Sequence, residues 1–332
     1  MKKYLISIRS RLPYISKLIQ DRDRLLVERD CLLDELGRYK QKIRNIEKND
    51  SRDVPLSLFP DGHYYSPIPS MEDIESQHNR IKKQIKSISD VDLNKKLQLE
   101  MLREFGKYYK DLPFRYKKKN RLRYCYHNPN FGQGDAISLY SMIRYAKPKR
   151  IIEIGSGYSS CVTLDTNQLF FDNKVACSFI EPHPDLLLSL INKQDKKGNN
   201  IISSRLQEVP LSLFEKLRRN DILFIDSTHV SKVGSDVNYV LFSVLPLIKR
   251  GVYIHFHDIF FPFEYPKEWS MRGIFWNENY ILRAFLYNNT NYEIVFFNNY
   301  LWEMHRNRLL KTMPLYSKNS GGSIWIRKIR KD

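Results

Sequence analysis

The stretch IIEIGSGYSS at residues 151–160 decides the fold class of this chain. It begins as an apolar strand, turns through Gly155 and Gly157, and continues into a segment that opens with serine. Glycine lets a backbone turn sharply and come close to a ligand, and serine is favoured at the start of a helix. A strand, a glycine turn and a helix in this order predict the first ligand-binding unit of an open α/β sheet.

Apolar runs and helical segments alternate from this point to the end of the chain. The predicted strands are residues 150–154, 175–181, 200–204, 221–226, 251–257, 292–297 and 322–329. Continuous apolar strands separated by helices are typical of a parallel sheet covered on both faces. The last two runs, which a loop separates, predict a hairpin that closes one edge. The sequence therefore predicts an α/β fold with a doubly wound, mostly parallel, seven-stranded Rossmann-like sheet.

Acidic residues at the ends of the first two strands bear on the cofactor, because the ligand of a doubly wound sheet lies at the carboxyl ends of its strands. Glu181 ends the second strand and can accept both hydroxyls of a ribose. Glu153, just before the first glycine, would repel a pyrophosphate but attract an amino group. Ser160 stands where a dinucleotide site has its third glycine. These features favour S-adenosylmethionine over a nicotinamide dinucleotide.

Four motifs are specific enough to indicate a family: IIEIGSGYSS at 151–160, FIEP at 179–182, ILFIDSTH at 222–229 and HFHDIFFPFEYP at 255–266. A chain with these motifs resembles the class I S-adenosylmethionine-dependent methyltransferases, and more closely the bacterial members associated with surface-polysaccharide biosynthesis. The resemblance covers Asn128 to the end, together with the loop GHYYSP at 62–67.

The resemblance implies a set of cofactor contacts. By this resemblance, Glu153, Gly155 and Gly157 shape the cofactor pocket and Glu181 holds the ribose. It also implies that Gln207 and Glu208 lie beside the adenine. Ser159 is a departure, since the common form of the motif has a third glycine there. The full predicted set of cofactor-binding residues is Glu153, Gly155, Ser156, Gly157, Tyr158, Glu181, Pro182, Gln207, Glu208, Asp226 and Ser227.

Methyl transfer to a hydroxyl needs a base near the reacting carbon, because the acceptor loses its proton during the reaction. His229, just past the fourth strand, is the first candidate, with an expected titration near the ordinary histidine value of about 6.5. Asp258 is the alternative, either as the base or by orienting a histidine, and Asp226 completes the predicted catalytic set. We expect at least one of His255 and His257 to be a buried structural residue.

Asp226 and Asp258 end neighbouring strands, which is similar to the metal-dependent catechol-type O-methyltransferases. Two carboxylates with water would suit magnesium. Ile259 departs from that pattern, because it stands where a further oxygen ligand is common. The sequence therefore leaves a divalent metal as an open alternative.

The leading functional interpretation is O-methylation of a sugar hydroxyl in a glycan or glycolipid. The aromatic-rich run at 260–265 and Trp269 would supply a stacking wall for the sugar, and ordinary packing of a lid loop is the plainer explanation. A hydroxylase of the cephalosporin type on the same fold is a second enzyme hypothesis, for which a metal requirement would be diagnostic. A scaffold with a vestigial pocket is the non-enzyme hypothesis.

The residues that precede the predicted sheet show helical spacing of their apolar side chains. Apolar or long side chains recur at spacings of three and four over residues 15–46, which predicts a coiled coil and a homo-oligomer. A helix that packs on its own catalytic domain is the alternative. Residues 71–109 predict two helices. The predicted division is therefore a coiled-coil helix at 1–50, a linker loop with capping helices at 51–127, and a methyltransferase domain at 128–332.

The composition of the chain bears on its possible partners and cellular location. The net charge of +18 is spread along the chain without a recognisable nucleic-acid motif, so we expect no nucleic-acid partner. An anionic acceptor or peripheral membrane contact stays open. The sequence shows no apolar run of membrane-spanning length and no secretory segment, and its four cysteines lack CxxC spacing. We therefore expect a cytoplasmic protein.

Overall fold

The computed structural model describes residues 58–84, 88–118 and 121–330, together with positions 29, 36 and 37. The predicted coiled coil at 15–46 lies outside these described residues, apart from the three isolated positions. The unit that holds the sheet runs from Asp61 to Asp332. The domain boundaries near residues 50 and 127 stay predictions.

The described residues form one seven-stranded sheet with the order β3-β2-β1-β4-β5-β7-β6. Its strands are β1 Arg150–Ile154, β2 Ala176–Ile180, β3 Asn200–Ile202, β4 Ile222–Ile225, β5 Tyr253–His257, β6 Tyr292–Phe297 and β7 Ser323–Lys328. Each strand lies within a predicted apolar run. Strands β1 to β5 pair in parallel, so their carboxyl ends meet at one edge.

The sheet is mixed, because β7 runs antiparallel to both of its neighbours, β5 and β6. The last two strands do pair at one edge, but the prediction of a loop between them is wrong. The helix Asn298–Thr312 connects them. Its buried apolar positions Tyr300, Leu301 and Leu309 do not repeat as one stripe, so the sequence lacked the usual helical signature.

Helices flank the sheet. They are α1 Met71–Gln84, α2 Lys95–Tyr109, α3 Gln133–Ala146, α4 Tyr158–Phe171, α5 Asp185–Leu190, α6 Lys193–Gly198, α7 Asp236–Tyr239, α8 Leu245–Leu247, α9 Lys267–Met271, α10 Glu278–Leu286 and α11 Asn298–Thr312. The first two occupy the region where two helices were predicted. Helix α2 packs on the sheet, with the Phe105 ring 4.7 Å from that of Phe296 on β6. Among the helices of the described residues, none combines the length and the apolar character that crossing a bilayer requires.

The central strands are buried along their whole length. Every residue of β4 and β5 is shielded from solvent, because helices cover both faces of the sheet. Fully burying a side chain such as Leu223 or Phe224 contributes about 1.5–3 kcal/mol. The ends of these two strands are therefore held rigidly, and they carry Asp226 and Asp258.

Candidate active site

The turn after β1 depends on glycine at position 155. Gly155 has φ +78°, a conformation that side chains rarely adopt. A Cβ atom there would lie 1.7 Å from the backbone oxygen of Asp226. The turn thus brings the end of β1 against the end of β4, where the Asp226 N–H donates to the Ile154 carbonyl at 2.8 Å.

The serine pair after this turn holds a buried acid. The hydroxyls of Ser159 and Ser160 donate to Oε1 of Glu153 at 2.6 and 2.8 Å, which gives the unusual Ser159 a structural role. Burial raises the pKa of Glu153 to about 8, although both serine hydrogen bonds act against the rise. Glu153 is therefore largely protonated at pH 7. The side chain is fully buried, and the expected contact between Glu153 and the amino group of the cofactor stays a prediction.

Glu181 is anchored by backbone N–H groups at the end of β2. Its Oε1 accepts from the His183 N–H at 2.9 Å, and its Oε2 accepts from the Ser156 N–H at 3.3 Å. An ionised carboxylate has further lone pairs on both oxygens. Glu181 can therefore accept hydrogen bonds from two ligand hydroxyls without losing these anchors.

A cavity of about 380 Å³ opens where β1, β2 and β4 end. Residues from all three strand ends line it. Its lining includes six residues of the predicted set, namely Gly155, Glu181, Pro182, Gln207, Asp226 and Ser227. Gln207 closes one side, since its Nε2 donates to the Gly234 carbonyl at 2.7 Å. Thr228 and Asp236 were not in the predicted set and line another part of the cavity. The Thr228 hydroxyl donates to the Asp236 carboxylate at 2.6 Å.

Five predicted cofactor residues lie outside the lining of this cavity. They are Glu153, Ser156, Gly157, Tyr158 and Glu208. Ser156 acts through its N–H to Glu181, and Tyr158 begins helix α4. The exposed Glu208 carboxylate accepts from the Ser204 hydroxyl at 3.0 Å. The structure thus separates residues that line the cavity from residues that shape the loop behind it.

The three predicted catalytic residues come together beside this cavity. The His229 Nε2 atom lies 3.4 Å from Oδ1 of Asp226 and 3.8 Å from Oδ2 of Asp258. The other ring nitrogen, Nδ1, lies 2.8 Å from Oε2 of Glu278. Glu278 was missed, because it follows His229 by 49 residues and belongs to no local motif.

The neighbours of His229 and Asp258 shift the pKa values of both side chains. Burial alone would lower the pKa of His229, but the hydrogen bonds to Asp226 and Glu278 raise it well above the ordinary value. The two acids therefore act to keep the proton on the imidazole, in the direction opposite to burial. Burial raises the pKa of Asp258 to about 6, while His257 and His229 act against this rise.

The two histidines of β5 divide as expected. His255 is fully buried, and its ring stacks on Phe224 with centroids 4.0 Å apart. Burial holds the pKa of His255 well below the ordinary value. Burial also acts to lower the pKa of His257, but Asp226 and Asp258 raise it overall. His255 is thus a neutral packing residue.

The residues do not fit the magnesium alternative. Across the part of the chain that the structure describes, no group of three or more His, Cys, Asp or Glu side chains is arranged to hold a metal ion. Both carboxylates of the predicted pair face His229, whose Nε2 lies 3.4 Å from Asp226 Oδ1 and 3.8 Å from Asp258 Oδ2. Ile259, at the position of a further ligand, is fully buried.

Two rings of the predicted aromatic wall lie in the core instead. Phe261 and Phe263 are buried and pack on Phe297 of β6, with centroids 6.2 and 5.5 Å away. These two rings belong to the core, because the segment after β5 folds back onto the sheet.

A smaller aromatic cluster remains at the site. Its half-buried rings are Phe260, Trp269 and Trp276. Trp269 packs edge-on against Phe260 at 5.1 Å and against Trp276 at 5.3 Å. The Trp276 ring lies 4.3 Å from that of His229. The cluster thus extends from His229, and Trp276 was missed because it lies beyond the recognised motif.

Two solved structures are similar to this chain at low sequence identity. The SAH-bound methyltransferase PaMTH1 of Podospora anserina is 16% identical, with a TM-score of 0.39, over 83% of this chain and 100% of that one. The O-methyltransferase TomG of Streptomyces achromogenes is 12% identical, with a TM-score of 0.40, over 77% of this chain and 96% of that one. Both similarities are distant.

Sequence comparison identifies the family. A family model described as a methyltransferase domain matches residues 152–259, which span the glycine turn, Glu181 and Asp258. An uncharacterized protein of Archaeoglobus fulgidus is 34% identical over 170 residues, which are 50% of this chain and 76% of that protein. The chain belongs to the same family as this archaeal protein and carries a methyltransferase domain, so it is identified as a methyltransferase.

Proposed function

We propose that the protein methylates a hydroxyl oxygen of a small-molecule acceptor, and that this acceptor is a sugar unit of a glycan or glycolipid. The observation that carries the proposal is the partly exposed Asp258 carboxylate beside Asp226 and His229, next to half-buried aromatic rings. A carboxylate can accept the proton of a hydroxyl, and aromatic faces suit the apolar face of a pyranose.

The cavity residues fit the cofactor. S-adenosylmethionine, when bound, supplies a methyl group on a positively charged sulfur. Glu181 is placed to hold the ribose hydroxyls, and Gly155 lets the backbone come close to the ligand. The Ser227 hydroxyl, on the cavity wall, is buried without a hydrogen-bond partner among the described residues. Burying a hydroxyl without a hydrogen-bond partner lowers stability, unless a bound ligand supplies the partner.

Asp258 suits the role of base better than His229. A base should be unprotonated at the working pH and have a pKa close to it. The pKa of Asp258 is raised to about 6, close to neutral pH, whereas Asp226 and Glu278 raise the pKa of His229 and so disfavour its neutral, proton-accepting form. In the proposed mechanism Asp258 takes the proton that the acceptor hydroxyl loses. His229, whose Nε2 lies 3.4 Å from Asp226 and 3.8 Å from Asp258, holds the two carboxylates in place.

No observation favours the hydroxylase or the scaffold over this proposal. The hydroxylase would be recognised by its metal requirement, and the site residues do not fit a metal. Oligomerisation through residues 15–46, a cytoplasmic location and peripheral membrane contact stay predictions.

An acceptor screen tests the proposed function. Release of S-adenosylhomocysteine would be measured with nucleotide sugars, free oligosaccharides, glycolipids, catechols and amines. We expect turnover with a sugar hydroxyl and none with amines. Turnover that requires a catechol, or an acceptor without a hydroxyl, would contradict the sugar assignment.

Glu181→Ala is expected to weaken S-adenosylmethionine binding strongly. The variant loses two hydrogen bonds to a charged acceptor, each worth roughly 1.5–3 kcal/mol before compensation. Calorimetric titration of both proteins measures the difference. Glu215→Ala is the matched control, because Glu215 is an exposed carboxylate outside the cavity lining. Equal affinity of Glu181→Ala and wild type would remove the ribose assignment.

A further inference from the structure

Glu278 is a buried acid that neither the motifs nor the cofactor cavity explains. Its side chain lies in the first turn of α10 and is 2% exposed. Its Oε2 atom contacts the His229 Nδ1 at 2.8 Å. Its Oε1 atom has no hydrogen-bond partner among the described residues. Burying a carboxylate is costly unless it is paired, and His229 provides that pairing.

The start of α10 also fixes the backbone of His229. The His229 carbonyl accepts from the N–H groups of Asn277 and Glu278 at 3.1 and 3.2 Å. His229 has φ +59°, an uncommon conformation for a residue other than glycine. Trp276 packs on the imidazole. One short segment, 276–278, therefore restrains the carbonyl, the ring face and Nδ1 of the histidine.

The second ring nitrogen of His229, Nε2, shows what fixing the ring does for the site. With Nδ1 on Glu278, Nε2 lies between Asp226 and Asp258. A ring flip would place a carbon where the Glu278 contact is made and would remove Nε2 from the two aspartates. We propose that Glu278 is the positioning residue of the methyl-transfer site, which fixes the His229 ring so that Nε2 faces Asp226 and Asp258 together.

This inference rests on the proposed function and predicts a pH effect. The charged and titratable groups that face His229 are Asp226 after β4, His257 and Asp258 from β5, and Glu278 from α10. Neutralising Glu278 removes one of the two hydrogen-bonded acids that raise the pKa of His229. The imidazole should then lose its proton at a lower pH, and activity should decline at a lower pH.

The first arm of the test needs no acceptor. The titration of His229 would be followed by nuclear magnetic resonance of 15N-histidine-labelled full-length protein, with the signal assigned from the spectrum of His229→Asn. We expect the midpoint of Glu278→Gln to fall, that of Glu278→Asp to lie closer to wild type, and that of Glu268→Gln, an exposed acid on α9, to stay unchanged. An unchanged midpoint in Glu278→Gln would overturn the inference.

The second arm measures catalysis with the acceptor found by the screen. We expect Glu278→Gln to lower kcat up to about 100-fold, the size of effect that a small misplacement can have, with cofactor affinity nearly unchanged. Glu278→Asp should recover part of the loss. A shifted histidine midpoint with wild-type kcat would overturn the inference. If the wild type methylates no tested hydroxyl, the proposed function fails, and the first arm still decides whether Glu278 controls His229.

Discussion

Asp258→Asn is expected to lower turnover roughly 100- to 10,000-fold, the usual size of a general-base contribution. Asparagine keeps the shape of the side chain but cannot take the acceptor proton. Asp258 is outside the lining of the cofactor cavity, so S-adenosylmethionine should bind this variant with nearly wild-type affinity. Release of S-adenosylhomocysteine and calorimetric titration measure the two quantities separately.

The pH profile of the wild type provides an independent check on this assignment. Since burial raises the pKa of Asp258 to about 6, activity should rise with pH through that value. If His229 were the base, activity would rise only well above pH 6.5, because its neighbours raise the pKa of the imidazole. Asp172→Asn, at a highly exposed position, is the control. Wild-type turnover in Asp258→Asn would contradict the assignment.

Gly155→Ala is expected to abolish measurable S-adenosylmethionine binding and to destabilise the fold. The added Cβ would lie 1.7 Å from the oxygen and 2.7 Å from the carbonyl carbon of Asp226. Both atoms belong to the backbone, so relief would require β1 and β4 to separate at the cavity. Overpacking costs about 1–3 kcal/mol, and alanine at positive φ adds roughly 1 kcal/mol.

Gly198→Ala is the matched control for this change. The structure places no atom within 4 Å of a Cβ built at Gly198, so the same substitution should be tolerated there. Thermal unfolding and calorimetric titration of the two variants would be compared. Gly155→Ala that melts and binds like wild type would contradict the close approach of the β1 turn to Asp226.

The sheet was predictable from the sequence because its strands are short, apolar and bounded by turns. Strands such as β4 are buried on both faces, so their sequences are continuous apolar runs that can be recognised without the structure. The helix between β6 and β7 was not predictable in the same way, since its buried positions form no single stripe.

The cofactor side of the site was easier to predict than the catalytic side. Gly155 and Glu181 follow their strands directly, so the strand pattern alone brings them to one edge. Glu278 and Trp276 reach His229 only through the packing of α10 and the segment before it. The direction in which the pKa of His229 shifts depends on these tertiary contacts, which leave no signature in the local sequence.

Calorimetric titration of the wild-type protein with S-adenosylmethionine, and separately with NAD, tests the central claim most directly. We predict saturable binding of S-adenosylmethionine at one site per chain, and no binding of NAD. Binding of NAD with no detectable binding of S-adenosylmethionine would contradict the account of this chain as an S-adenosylmethionine-dependent methyltransferase.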